Sequence, residues 1–465
     1  MKTNFTEAQL LQAHIVEADK ILKTCQHFGF CTSGCPTYVL LHNENDGPRG
    51  RIDLIREMLE SDEAPRKETV EHLDKCLSCM SCMGTCAVKV DYMHLIDTAR
   101  VHIEENYKRP IFQRILRNSL GYILPRPPLF RAMLSGARLA SKVEGVVPKP
   151  LKHMLKLVPR DALADSNIRF DQLYPAVGTR KYRVAMLGGC VQPVMSPHIN
   201  TSTISLLTKL GCEVLIPRSV GCCGSLNLHM GKIEAAKEFA SRNVKAWSEE
   251  IKNGGLDAII INASGCGTTV KDYSHLLQDN EELREPARIV SDLALDITEW
   301  LDKIGLPEPD DAKRYKIAYH DACSLRNAQK VTSPPRRLLR KAGFKIVDVP
   351  EGHFCCGSAG TYNLLQPDIA GQLGKRKAEN IESTDPQIAA AGNIGCITQI
   401  SQYSVIPIVH TIELLNWAYG GAEPAAIKGL HLQPLAAEVI ETEQITQSQP
   451  PVTHSSDGDS DVGVW

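Results

Sequence analysis

The placement of the cysteines limits what this chain can be more than any other feature. There are 16 in 465 residues, and they are clustered. Cys25, Cys31, Cys35, Cys76, Cys79, Cys82 and Cys86 form a first group, and none falls between positions 87 and 189. Cys190, Cys212, Cys222, Cys223, Cys266, Cys323, Cys355, Cys356 and Cys396 follow. The N-terminus, Met1 to Glu7, is polar and lacks the apolar stretch of a secretory signal, so the expected location is the reducing cytoplasm. Disulfides are disfavoured there, and clustered thiols point to metal ligation or redox chemistry.

The later cysteines repeat. Cys190 is followed 32 residues on by Cys222-Cys223-Gly224, and Cys323 by Cys355-Cys356-Gly357 at the same interval. A lone cysteine after glycine closes each set, Gly265-Cys266 and Gly395-Cys396. Lys209-Leu210-Gly211 and Lys341-Ala342-Gly343 add a further matched landmark. Together they describe a tandem duplication of roughly 110–130 residues per copy. Short apolar runs at 183–187, 213–216 and 258–261 alternate with a helical stretch at 233–247. Runs at 316–319, 345–349 and 387–391, with a helix near 369–381, repeat that order. Alternating strands and helices predict an α/β unit with a mainly parallel sheet in each copy. The head instead shows helical periodicity at 6–25 and 51–59 and no strong strand signal, which predicts helices around loops.

The sharpest chemical signal is Cys76-x2-Cys79-x2-Cys82-x3-Cys86. Three cysteines spaced three apart wrap one iron–sulfur cubane, and the fourth points away to a neighbouring cluster in two-cluster ferredoxins. Zinc motifs usually present cysteine pairs instead. The earlier run, Cys25-x2-Phe28-x2-Cys31-x3-Cys35-Pro36, has the same spacing but a phenylalanine at its second position. By the crossed rule, Cys76, Cys79, Cys82 and Cys35 complete one [4Fe–4S] site. Cys25, Cys31 and Cys86 leave the other a ligand short, for a [3Fe–4S] cluster, a labile [4Fe–4S] cluster or no stable cluster. His27 beside it could ligate the open corner, but reads first as an exposed loop histidine. Arg49 and Arg51, after the Gly47-Pro48 turn, begin a helix and can offset thiolate charge.

Each Cys-Cys-Gly unit offers a sulfur-rich pocket suited to a soft metal such as zinc or to a further cluster. The candidate ligands are Cys190, Cys222, Cys223 and Cys266 in one, and Cys323, Cys355, Cys356 and Cys396 in the other. Glycine after each pair lets the backbone turn closely around it. Redox-active thiols and plain structural residues are the competing uses. Cys212 has no counterpart in the second copy and reads as a core residue. No nucleotide-binding glycine loop, flavin signature or acid/base constellation is evident, so no catalytic residue is assigned.

Length allows about three domains of ~150 residues each. A hydrophobic fraction of 43% with 23% charged residues excludes wholesale disorder. A net charge of −2 gives no electrostatic ground for nucleic-acid binding, and no apolar run reaches the ~18 residues of a transmembrane helix. The cysteine-free connector is locally basic, with thirteen Lys/Arg against three Asp/Glu from Arg100 to Arg160. It reads either as a solvated helical linker or as a docking element for an acidic partner or the anionic inner face of the membrane. Ile111, Phe112, Ile115 and Leu116 share one helix face there.

Taken together, these strings resemble the iron–sulfur subunits of bacterial glycolate oxidase. The resemblance covers roughly 5–420 and is carried by His27-Phe28-Gly29-Phe30-Cys31, Cys35-Pro36-Thr37-Tyr38, Asp46-Gly47-Pro48-Arg49-Gly50-Arg51, Ser264-Gly265-Cys266-Gly267 and Cys355-Cys356-Gly357-Ser358-Ala359-Gly360-Thr361-Tyr362. It implies an α-helical ferredoxin head followed by two Cys-Cys-Gly domains. With the cysteine placement and composition, the expected α/β multidomain chain divides into an α-helical ferredoxin domain (1–100), a basic helical connector (101–180), two Cys-Cys-Gly domains (181–305 and 306–420) and, from its low aromatic and Ser/Gln/Pro/Asp-rich sequence, a disordered tail (421–465). The resemblance also implies electron transfer from flavin-containing partner subunits that oxidise glycolate to glyoxylate, toward a respiratory acceptor, a quinone pool. Phe28 departs from the family head, where a cysteine is usual. Thr269 and Gln399 stand where heterodisulfide reductase units carry a further cysteine. The competing functions are the iron–sulfur subunit of a related D-lactate or glycerol-3-phosphate dehydrogenase, a thiol or disulfide reductase, and a zinc-bound assembly module.

Overall fold

The computed structural model describes residues 1–141, 171–309 and 311–436. The head is helical, and no strand occurs among its described residues up to 141. Helices Ala13–Thr24, Pro48–Glu60, Lys67–Asp74 and Tyr92–Asn106 close on a core that includes Ile21, Leu22, Ile55, Leu59, Leu73, Leu95 and Ile96. Proline opens two of the head's helices, Pro36–Leu41 and Pro48–Glu60, where its missing N–H costs nothing. The cysteines lie on the loops and one-turn helices that join these elements.

Two sheets follow. In the first, β1 (Gln172–Tyr174), β2 (Tyr182–Met186), β3 (Cys212–Ile216), β4 (Ala258–Ile261) and β5 (Ala294–Asp296) lie in the order β1-β3-β2-β4-β5. In the second, β6 (Lys316–His320), β7 (Lys345–Asp348), β8 (Ile388–Ala391) and β9 (Ile408–His410) lie in the order β7-β6-β8-β9. Without the antiparallel edge strand β1, the two orders are the same and all pairings are parallel. Every residue of β4 and β8 is buried, as expected for strands covered on both faces. The six anticipated strands are present; β1, β5 and β9 are additional. Helices Ile233–Gly254 and Pro367–Glu382 make the corresponding crossovers.

The two units are not separate bodies. One apolar core runs from Val184, Val214 and Trp300 of the first to Ile317, Phe344 and Leu414 of the second. In the connector, helices Ile111–Ile123 and Pro127–Ser141 form, with Leu120, Leu124, Phe130 and Leu134 buried together with Val194 of the first unit. Residues 142–170 of the anticipated connector lie outside the described residues, and within its last ten residues, anticipated as helical linker, β1 instead pairs with β3 as the edge of the first sheet. Its basic character is partly structural: Arg109 pairs with Asp74 at 2.6 Å, and Arg117 is buried and donates to the Met230 carbonyl. Ile111, Phe112 and Ile115 are exposed. Of the tail anticipated as disordered from 421, residues 421–436 are described and ordered against the second unit. Ile427 is 1% exposed in the shared core, and Gln387 donates to the Gln433 carbonyl, so burial of an apolar residue holds 421–436 against the second unit. The stretch 437–465 lies outside the described residues. No described helix is long and apolar enough to cross a membrane.

Candidate cysteine-lined sites

The head places its seven cysteines around two adjoining cavities. One is lined by Cys35, Cys76, Cys79 and Cys82, together with Arg51 and Tyr92. The other is lined by Cys25, Cys31 and Cys86, with Cys82 in the shared wall. Chain crossing produces both sets. The Cys31–Cys35 turn and the Cys82–Cys86 turn pack on each other, so the last cysteine of each motif faces the other motif's loop. Cys79 is buried and Cys82 half-buried, and burial followed by the neighbouring thiols pushes both well above the usual thiol range. Burial likewise lifts Cys31 to about 11. Such a crowd of thiols ionises only against a compensating cation.

Arg51 supplies part of that charge. It is 1% exposed, donates to the His72 carbonyl at 2.9 Å, and brings Nη1 to 3.9 Å from Cys35 Sγ. Burial opposes its charge, but Cys76, Tyr92, Cys35 and Asp46 outweigh burial and raise its pKa. Arg49 instead pairs with Glu44 near the surface. Tyr92 directs its hydroxyl at Cys76 Sγ, 3.7 Å away.

Phe28 lines the second cavity yet is 59% exposed, with its ring 6.2 Å from Phe30. His27 is not the exposed loop histidine anticipated. It is half-buried and lines the same cavity, with Nδ1 3.7 Å from Asp53 and Nε2 enclosed without a partner.

In the units, sheet topology gathers the cysteines. Cys190 follows β2, Cys222-Cys223 follow β3 and Cys266 follows β4; Cys323, Cys355-Cys356 and Cys396 follow β6, β7 and β8. All lie at carboxyl ends of parallel strands, where open α/β sheets bind ligands. Gly224 and Gly357 both have φ of +89°, and an added Cβ would sit 3.0 Å from the Ala236 carbonyl oxygen and 2.6 Å from that of Ala370. The glycine amide donates to the first cysteine of the pair at 3.4 Å in both copies. In the first unit, hydrogen bonds from Cys190 and Cys223 hold Cys222 well below the usual thiol range. In the second, Cys323 Sγ and Cys355 Sγ are 3.7 Å apart. Cys212 is buried in the core. Gln399 is engaged by the Ala370 carbonyl and Asn363, so it serves structure.

Two groups escaped the sequence reading. His320, 1% exposed, has its ligating nitrogen and the sulfurs of Cys356 and Cys396 all within 4.8 Å of one another, and both ring nitrogens lack partners. Burial and nearby Lys377 keep it neutral, with a pKa near 3. The contrast with Leu187, at the same distance before Cys190, was the available signal. The second group is Glu17, His94 and His275 at the junction of head and first unit, whose rings stack 3.7 Å apart. It is scattered along the chain and has no local signature.

The second unit also meets the head's cysteine loop. Leu77 and Cys79 pack with Cys355, Tyr362 and Leu373, and Asn327 donates to the Cys79 carbonyl at 2.9 Å.

Comparison with known proteins agrees with this arrangement. The cysteine-rich domain model CCG matches residues 184–271 and 317–401. The chain is 40% identical over 419 residues to the glycolate oxidase iron-sulfur subunit of Escherichia coli (strain K12), covering 90% of this chain and 99% of that one. It is 30% identical to the probable glycolate oxidase iron-sulfur subunit of Bacillus subtilis (strain 168), covering 82% and 88%. A crystal structure of a hypothetical protein from Helicobacter pylori shares the fold, with a TM-score of 0.52 at 10% identity over 90% of this chain and 74% of that one.

Proposed function

The chain belongs to the family of glycolate oxidase iron–sulfur subunits, and from that premise we propose that it carries single electrons from flavin-containing partners that oxidise glycolate to a respiratory acceptor. The observation that carries this reading is the pair of adjoining cysteine-lined cavities sharing Cys82. Iron–sulfur clusters would supply one-electron reduction and reoxidation there. We assign Cys35, Cys76, Cys79 and Cys82 to a [4Fe–4S] cluster in a ferredoxin-like head. Cys25, Cys31 and Cys86 take a second cluster, [3Fe–4S] or labile [4Fe–4S], because Phe28 offers no donor.

The protein's own part is to seat and insulate. Arg51 balances thiolate charge from inside the core, and Tyr92 donates toward Cys76. The thiols of the two Cys-Cys-Gly units, Cys190, Cys222, Cys223 and Cys266 with Cys323, Cys355, Cys356 and Cys396, form two metal-binding pockets flanking the head. The domain division at 100, 180 and 305 belongs to the same reading. The acceptor is a quinone pool, reached from the exposed Ile111, Phe112 and Ile115 face resting on an anionic membrane beside exposed Lys108 and Arg114.

Anaerobically purified protein should be brown, contain iron and acid-labile sulfide, and oxidise no glycolate alone. With the flavin subunits added, glycolate should reduce its clusters, read by low-temperature electron paramagnetic resonance. A colourless, iron-free preparation, or clusters that glycolate and the flavin subunits leave oxidised, rejects the proposal.

A further inference from the structure

The two Cys-Cys-Gly pockets share a backbone plan but not a donor set. In the first, the residue three before the leading cysteine is Leu187, buried in the apolar core of that unit. In the second it is His320, at the end of β6, 1% exposed and with neither ring nitrogen hydrogen-bonded. An imidazole shut away from water with both nitrogens orphaned bears the desolvation cost of each unmet group. A protein holds such a group where something else satisfies it. His320 lies against two sulfurs, Cys396 Sγ and Cys356 Sγ, with all three ligand atoms within 4.8 Å of one another.

The spacing selects the ligand class. A Zn–S bond of about 2.3 Å puts two sulfurs of a tetrahedron about 3.8 Å apart, with sulfur and nitrogen somewhat closer. A cubane instead takes its thiolates on separate iron corners, spread around a larger body. The second pocket is on the smaller scale: the His320 nitrogen and the Cys356 and Cys396 sulfurs all lie within 4.8 Å of one another, and Cys355 hydrogen-bonds to Cys356.

We infer that His320, Cys356 and Cys396 form the three-donor core of a site for one zinc-like divalent ion in the second unit, with Cys355 closing the tetrahedron. This rests on the reading of the Cys-Cys-Gly thiols as metal-binding. It adds a histidine that no cysteine pattern reveals, and it separates the second pocket from the first. The ion ties together the chain ends leaving β6, β7 and β8. Those ends include the loop that packs Cys355 against Leu77 and Cys79 of the head, so the site clamps the second unit onto the head's cysteine loop.

The test uses full-length protein purified anaerobically as wild type and as the His320→Ala, His320→Cys, Cys356→Ser and Cys396→Ser variants. Each is assayed for zinc, iron and acid-labile sulfide, then titrated with Co2+ alone. Wild type should hold one zinc or cobalt per chain at this site, with tetrahedral cobalt bands, thiolate charge transfer and one nitrogen in the X-ray absorption shell. His320→Ala should weaken cobalt binding by at least about tenfold. His320→Cys should keep the ion and lose the nitrogen, which separates ligation from misfolding. The cysteine variants should lose the zinc while keeping the head's iron. The inference is overturned if His320→Ala keeps wild-type affinity and spectrum while Cys356→Ser loses the ion. It is also overturned if the cysteine variants lose iron and sulfide in place of zinc. If both cysteine variants retain every metal, the metal-binding reading of the unit fails as well, whereas the iron in the head is counted independently throughout.

Discussion

The two Cys-Cys-Gly units keep the same strand order and the same positive-φ glycine, yet they face the head differently. The first meets it through side-chain charges: His94 reaches Asp272 at 3.1 Å, His275 reaches Glu17 at 2.7 Å, and Lys232 pairs with Glu104 at 2.7 Å. The second meets it through the packed loop around Cys79. Counting seven residues along the crossover helix from the alanine that each glycine abuts gives Asn243 in one unit and Lys377 in the other. Both reach back to the cysteine-bearing loops, Asn243 to the Cys222 carbonyl and Lys377 to that of Glu351. Duplication preserved what the backbone requires, while the side chains lining the pocket and the docking face diverged. A repeat therefore specifies where a site is built and leaves open what it binds.

The largest expected effect tests the shared part. Alanine at Gly224 or Gly357 must adopt a left-handed φ, which costs about 1–3 kcal/mol. At Gly357 the new methyl also meets the Ala370 carbonyl oxygen at 2.6 Å, against 3.0 Å to Ala236 in the first unit. Chemical denaturation should show Gly357→Ala losing more stability than Gly224→Ala. Equal and negligible losses would mean that the two turns do not need glycine.

An intermediate effect tests the charged junction. Burial alone would lower the His94 pKa, but hydrogen bonds to Asp272 and Asp91 outweigh burial and lift it to about 10. The ordinary value is about 6.5. A raised folded-state pKa contributes stability that is fully present below about 6.5 and is lost as pH climbs through 10. His94→Gln should cost about 1–3 kcal/mol near neutrality, where charge-assisted bonds are lost. It should also flatten the decline in stability between about pH 6.5 and 10. An unchanged slope in the variant would remove His94 from the junction's energetics.

These contrasts also show what the sequence made legible. Six strands were readable because their apolar runs alternate with helices at matched positions in both copies. β5 and β9 were not, because each has three residues and leads directly into a helix capped by its own last residue, Asp296 or His410. The crossed cysteine sets in the head were legible because spacing along a short loop fixes which thiols can share a body. His320 was hidden because a lone histidine at a strand end looks like core, and its partners come from the ends of two other strands. The Glu17, His94 and His275 junction was hidden for a stronger reason: its members are distant in sequence, and only the packing of head on sheet unites them.

The smallest effect separates the two junctions most cleanly. Asn327 lies in the turn after Cys323 and donates to the Cys79 carbonyl at 2.9 Å and to that of His353 at 3.3 Å. Removing its amide in Asn327→Ala should cost only about 1 kcal/mol. The partly exposed Lys232–Glu104 pair should cost about as little in Lys232→Ala, since pairs open to solvent contribute about 0–1 kcal/mol. The energies alone would not distinguish the variants, but the place of the lost bond does. Asn327 fixes the backbone of a cysteine that lines the head cavity; Lys232 pairs with Glu104 near the far end of helix Tyr92–Asn106, twelve residues beyond Tyr92. Asn327→Ala should therefore alter the paramagnetic resonance of the reduced head while Lys232→Ala leaves it unchanged. If both variants perturb that signal equally, the second unit has no privileged contact with the cysteine loop, and the two copies are equivalent supports.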